Sequence, residues 1–240
     1  MDAKELQFYR DNSFLIVRGA VRGSALENLT EELDELRRNV ETGRWRGNHL
    51  FERVGVARVI FGPYDYCPSF RELVNREDIV TRARGFLGGA IQLHHTKLMC
   101  KAASVGTAQP PHQDYYYWQG RKANQVAVIL CIDPATEANG CLRAIPGSHK
   151  QGLLEHHEEY HAQSGERHWV CRVTEQDRAR EVAFVAEPGD AMFFGSLTIH
   201  YSGANDSGCS RRAVIWEYDE LGNLAPAPGW GAPLPPVEWT

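Results

Sequence analysis

The 240-residue chain has no apolar run near the roughly 18 residues that a membrane helix requires, so no membrane span is expected. It has no basic excess either: 26 Lys and Arg stand against 31 Asp and Glu, for a net charge of -5 and a pI near 6.1. Nucleic acid and anionic membrane surfaces are therefore poor partners. Cysteine is sparse. The six (67, 100, 131, 141, 171, 209) form no Cys-x-x-Cys pair and sit mostly in apolar runs, which excludes a disulfide framework or a zinc site. The opening Met1-Asp2-Ala3-Lys4-Glu5 lacks the basic-then-apolar pattern of a secretion signal, and a cytoplasmic location is expected. There is no internal repeat. At 42% hydrophobic, residues 1–240 fit one well-cored domain.

What is present divides into helical and strand-like parts. Residues 1–89 read as mainly helical support. A short helix is predicted over Ala3 to Arg10 and another from about Ser69 to Leu87. Between them, Leu26, Leu29, Leu33, Leu36 and Val40 recur at three-to-four spacing behind a Ser24/Glu27 capping box, the pattern of an amphipathic helix. From 90 to 220 short β runs are punctuated by Asn139-Gly140, Pro146-Gly147 and Pro188-Gly189, which suits a sandwich or barrel rather than βαβ units. Residues 150–181 are polar and carry His156, His157, His161 and His168; they read as a solvated helix and loop or as a lid over a site. Residues 221–240 form a Pro-rich arm with Trp230 and Trp239 as candidate anchors.

The candidate chemistry centres on His112-Gln113-Asp114. In an extended strand residues i and i+2 share a face, so His112 and Asp114 stand side by side while Gln113 points away. With His200 from a distant strand they make a two-histidine, one-carboxylate set that leaves positions open, as a non-haem Fe(II) centre needs. Ser202 follows His200 on the same face. Tyr115, Tyr116, Tyr117 and Trp118 come next after the carboxylate. Alternation turns Tyr116 and Trp118 toward the metal side as a substrate wall, the alternative being ordinary core aromatics. Lys97 and Lys101 could greet an anionic substrate or be surface lysines. Arg211 and Arg212 open the strand after His200. Alternation through Val214, Trp216 and Tyr218 would turn Arg212 inward.

Several motifs follow in order: His112-Gln113-Asp114, Glu137-Ala138-Asn139-Gly140-Cys141-Leu142, Ile145-Pro146-Gly147-Ser148-His149-Lys150, Glu187-Pro188-Gly189-Asp190, His200-Tyr201-Ser202-Gly203 and Arg211. With the opening segment Phe8 to Gly19, they resemble the phytanoyl-CoA dioxygenase family of Fe(II)/2-oxoglutarate oxygenases over nearly the whole chain. The resemblance implies a mainly β, α+β fold: a double-stranded β-helix (distorted jelly roll, cupin-like) with the N-terminal helices on the outer face of one sheet. It implies Fe(II) at His112, Asp114 and His200, with 2-oxoglutarate and O2 as co-substrates. Its spacing of eleven from the distal histidine selects Arg211 for the far carboxylate of 2-oxoglutarate, supported by Ser202, and Gln109 matches a position that touches the co-substrate in some members. With Asp114 intact, hydroxylation of a small molecule is the implied outcome, and desaturation or epoxidation are variants. A metal enzyme that uses no oxo acid, or a non-catalytic metal-binding jelly-roll module, are the competing readings. Nothing points to a coenzyme A thioester, and the sequence carries no signal of oligomeric state.

Overall fold

The computed structural model describes residues 1–160 and 167–223, and the backbone of 238–239. Its helices are α1 (Ala3–Asn12), α2 (Ser24–Glu41), α3 (Pro63–Tyr66), α4 (Pro68–Val74), α5 (Glu77–Leu87) and α6 (Glu175–Ala179). Its strands are β1 (Phe14–Val17), β2 (His49–Arg53), β3 (Val56–Phe61), β4 (Ile91–Lys101), β5 (Gln109–His112), β6 (Gln125–Cys131) and β7 (Leu142–Ala144). They continue as β8 (His156–Tyr160), β9 (Arg167–Cys171), β10 (Val182–Ala183), β11 (Ala191–Gly195), β12 (His200–Ser202), β13 (Arg211–Glu220) and β14 (Glu238–Trp239).

Two sheets face one another as a double-stranded β-helix. The larger runs β1-β11-β6-β13-β4-β3-β2, with β14 also paired to β4; the smaller runs β10-β7-β12-β5. Alternation divides the side chains of the larger sheet between two cores. Val214, Trp216 and Tyr218 of β13 point outward and pack with Leu29, Leu33 and Leu36 of α2, and the Tyr218 hydroxyl donates to the Val74 carbonyl at 2.6 Å. Ile129, Phe194 and Ala213 point inward and meet Leu142 and Ala144 of the smaller sheet. The helices thus cover the outer face of one sheet, and the cavity lies on its inner face.

Local chemistry sets the ends of these elements. Asp2 and Glu5 cap α1 reciprocally, each side chain accepting from the other's backbone N–H. The Ser24/Glu27 box expected for α2 does not form. Gly23 is the cap residue instead, at φ 58° and ψ -145°, a region open to glycine alone, and among the described residues no side chain caps the helix. The single helix expected over 69–87 is two, α4 and α5. Arg76 between them is extended (φ -63°, ψ 131°), and its guanidinium donates to the Ala20 carbonyl at 2.7 Å. Residues 1–89 also hold three strands that the helical reading missed: β1, and the β2–β3 hairpin that turns at Val54 and Gly55 (φ 76°). Residues 150–181 are not a helix and loop over their described length but chiefly the β8–β9 hairpin followed by the short α6. His161, Trp230 and most of the Pro-rich arm lie outside the described residues. Among the described residues no helix is long and apolar enough to cross a membrane.

Candidate active site

β5 and β12 are antiparallel neighbours, and their register sets His112 directly opposite His200. The two imidazole centroids are 4.2 Å apart. Asp114 closes the group from the first position of a 3-10 turn, Asp114–Trp118, its Oδ1 lying 3.5 Å from His112 Nε2 and 3.6 Å from His200 Nε2. One donor atom from each of the three lies within 4.8 Å of the others, and all three side chains are buried.

Each imidazole is held by its far nitrogen. His112 Nδ1 lies 2.8 Å from the Pro110 carbonyl and His200 Nδ1 lies 3.0 Å from the Thr198 carbonyl. A carbonyl only accepts, so Nδ1 carries a proton, and in the neutral ring Nε2 is the nitrogen with a free lone pair. Burial pushes the His200 imidazolium down to about 4, so the ring is neutral near pH 7. Burial opposes ionisation of Asp114, but in the acid range where it titrates the charge of protonated His200, a hydrogen bond from His112 and the charge of Lys97 outweigh burial, and its pKa falls. Two imidazole nitrogens and one carboxylate converging in a buried site fit a divalent first-row metal such as Fe(II), with room left for co-substrates.

Gln113 sits between two members of the triad and points away, as expected. Its side-chain amide donates to the carbonyls of Gly152 (2.9 Å) and Leu197 (2.8 Å), and its carbonyl accepts from Leu154 N–H (2.8 Å). Those three bonds tie the segment carrying His112 and Asp114 to the loop before β8 and to the turn before His200. No sequence signal marked this role. Asn139 and Gly140 shape a turn, as expected. Asn139 bonds the backbone of Thr136 and Pro134, and a side chain at Gly140 (φ 74°) would strike the carbonyls of Gly203 and Ala204, just beyond β12.

A cavity of about 170 Å³ opens beside the triad. Arg211 lines it, and Arg212 does not. Arg212 points to the helix side, where it meets Asp133 at 2.6 Å and Asp34 at 2.6 Å. Alternation misleads here because both faces of the sheet are apolar, the outer one under helices. Arg211 is only 4% exposed, and among the described residues no carboxylate pairs with it. Burial lowers its pKa. Lys101, also buried, donates to the carbonyls of Thr107 (2.8 Å) and Gly203, and burial with the charges of Arg211 and Arg58 pushes it down to about 7. Lys101 is therefore a backbone tie rather than a surface lysine. Ser202 and Gln109 are partners across β12 and β5 and both line the cavity. Gln109 Oε1 accepts from Arg58 at 3.5 Å.

The aromatic run departs from its expectation. Because the chain enters a 3-10 turn at Asp114, strand alternation does not apply to residues 115–118. Tyr116 turns from the metal side and stacks on His156 of β8, centroids 4.2 Å apart, while Tyr117 and Trp118 line the cavity. Tyr117 stands edge-on to His112. The sequence reading also missed His95, Glu217 and His168. A β-bulge between Glu217 and Tyr218 pairs them with His95 and Leu93, so His94 is the extra residue and both histidines face inward. Burial holds His95 well below its usual range and lifts Glu217 to about 8.

Residues 9–213 match the phytanoyl-CoA dioxygenase (PhyH) family. The chain belongs to that family. Peroxisomal phytanoyl-CoA dioxygenase of Mus musculus is 28% identical over 234 residues, covering 88% of this chain and 66% of that protein, so the chain spans just under two thirds of its relative's length. L-proline trans-4-hydroxylase of Streptomyces griseoviridis is 26% identical over 75% of this chain and 73% of its own. EctD from S. alaskensis with bound Fe superposes with a TM-score of 0.79 at 18% identity over 95% of this chain and 80% of that chain, which bears on the fold.

Proposed function

We propose that this chain hydroxylates an unactivated C–H bond of a small molecule, converting 2-oxoglutarate and O2 to succinate and CO2 as the substrate gains a hydroxyl. The observation that carries this reading is one cavity holding both a buried His112–Asp114–His200 donor set and a buried Arg211 that has no carboxylate partner among the described residues. A donor set alone fits many metal enzymes. An unpaired guanidinium in the same cavity calls for an anion, and the far carboxylate of 2-oxoglutarate supplies one with matching planar geometry.

Iron, when bound, supplies O2 activation coupled to oxidative decarboxylation of the oxo acid. The chain's own residues do the rest. His112 and His200 offer Nε2 lone pairs because Pro110 and Thr198 hold their Nδ1 protons. Asp114 stays ionised. Arg211 takes the far carboxylate in a bidentate pair, with the Ser202 hydroxyl and the Gln109 amide beside it. Ile129, Leu142 and Phe194 keep water from the inner cavity, while Tyr117 and Trp118 form the wall against which the substrate lies.

The test is succinate formation from 2-oxoglutarate by anaerobically reconstituted Fe(II) protein exposed to O2. Slow turnover without added substrate, abolished by both His112→Ala and Arg211→Ala, supports the reading. A wild-type protein that binds neither Fe(II) nor 2-oxoglutarate refutes it.

A further inference from the structure

Four cations outside the metal group reach the cavity: Arg58, Lys97, Arg167 and Arg211. Arg58 is compensated by Glu52 at 3.7 Å, and Arg167 by Glu158 at 3.2 Å. Arg211 is assigned above to the co-substrate. Lys97 has the loosest pairing of the cations that have a carboxylate partner: its ion pair with Glu217 is 4.0 Å long, and Glu217 also accepts from the indole of Trp118. Among the described residues no acceptor takes any of the three N–H donors of Lys97. Its side chain is only 23% exposed and stands between His95 and Met99 on the inner face of β4, against Phe61, Trp118 and Ile215. A half-desolvated ammonium among apolar side chains has much to gain from an oxyanion, because little solvent screens the pair.

Lys97 and Arg211 stand apart along the paired strands. In the β4–β13 register Lys97 lies opposite Ile215 and Lys101 lies opposite Arg211, so four residues separate them along the strand. That is roughly 13 Å at the usual rise, longer than the five-carbon 2-oxoglutarate. Lys97 also stands on the metal's side of the cavity, since its charge acts on both Asp114 and His200.

We propose that Lys97 anchors an anionic group of the prime substrate, which makes that substrate a small carboxylate or phosphate rather than a neutral or cationic molecule. The inference rests on the oxygenase reading, with Trp118 and Phe61 packing the substrate's carbon skeleton while Lys97 fixes its charged end.

A small-molecule extract divided by anion exchange into retained and unretained pools tests this. Ligand-observed NMR on the Zn(II)-substituted, 2-oxoglutarate-saturated protein reads binding without turnover. Retained anions should bind wild type. They should bind Lys97→Met and Lys97→Gln roughly 10- to 100-fold more weakly, the range for a hydrogen bond to a charged group, and Lys97→Arg should recover most of the loss. Phosphatase treatment of the pool separates phosphates from carboxylates. The proposal is overturned if the bound molecules come from the unretained pool, if no retained anion binds, or if both variants bind the anions as wild type does. It is equally overturned if the substitutions weaken 2-oxoglutarate instead, which would place Lys97 on the co-substrate. Succinate formed by the Fe(II) protein without any pool, and its loss in His112→Ala, checks the oxygenase reading separately.

Discussion

Replacing Arg211 with methionine should make the protein more stable and less able to use 2-oxoglutarate at once. The guanidinium is 4% exposed, has no carboxylate partner among the described residues, and shares its surroundings with the buried Lys101 and with Arg58. A buried charge without compensation is costly, and even replacing a buried ion pair by apolar residues of similar volume is often neutral or stabilising by about 1–4 kcal/mol. For a chain of this size each kcal/mol moves Tm by about 2–4 °C. The apoprotein of Arg211→Met should therefore melt several degrees above wild type. Its response to ligand should be lost. With Fe(II) bound, 2-oxoglutarate at 100 times Kd stabilises wild type by about 2.7 kcal/mol. Removing one partner of a buried, hydrogen-bonded charge pair costs about 2–5 kcal/mol, at least roughly 30-fold in the 2-oxoglutarate requirement. Arg212→Met makes the contrast, because it strips Asp133 and Asp34 of their partner on the helix side. It should lower Tm and leave the 2-oxoglutarate requirement near wild type. Differential scanning calorimetry with and without ligand, beside succinate kinetics, reads all four values. A destabilised Arg211→Met whose 2-oxoglutarate requirement matches wild type would refute the reasoning.

Three further outcomes are expected. Gln113→Leu abolishes three hydrogen bonds that tie the ligand-bearing segment to its neighbours. Fe(II) affinity by anaerobic titration should drop about 10- to 100-fold, as for groups that orient metal ligands, with both histidines still present. Glu217 titrates near 8 when folded, against 4.5 as its ordinary value, because burial disfavours its charge. The folded state then holds the extra proton between those values, so Glu217 destabilises the apoprotein as pH rises from about 4.5 to 8, by up to about 1.4 kcal/mol per pH unit. Glu217→Gln should flatten that part of a urea-unfolding pH profile; an unchanged slope contradicts the assignment. Leu33→Ala, at a fully buried position of α2 in the outer core, should cost about 2–5 kcal/mol without altering the 2-oxoglutarate requirement of whatever protein remains folded.

The donor set was legible because its signal is local. His112 and Asp114 are two residues apart, and a strand reading brings them close even though β5 ends at His112 and a 3-10 turn begins at Asp114. Beyond that turn the same alternation assigned Tyr116 where Tyr117 belongs. The choice between Arg211 and Arg212 could not come from polarity, since helices cover the outer face of β13 and make it as apolar as the inner one. His95 was hidden for a different reason. Its direction depends on a bulge, and a bulge exists only between two paired strands. The β2–β3 hairpin, which contributes Arg58 and Phe61 to the cavity, was missed because β2 is half-buried throughout and four successive residues of β3 are buried, so neither alternates, and only Gly55 marks the turn. Gln113 carries no signal at all in sequence, because its three partners lie about 40 or 84 residues away.

The most direct test is an anaerobic crystal structure with Fe(II) and 2-oxoglutarate, with the metal located by anomalous scattering at the iron edge. One iron peak should appear, bounded by His112 Nε2, Asp114 Oδ1 and His200 Nε2, with the far carboxylate of 2-oxoglutarate paired to Arg211. Iron elsewhere, or a 2-oxoglutarate whose far carboxylate ignores Arg211, would contradict it.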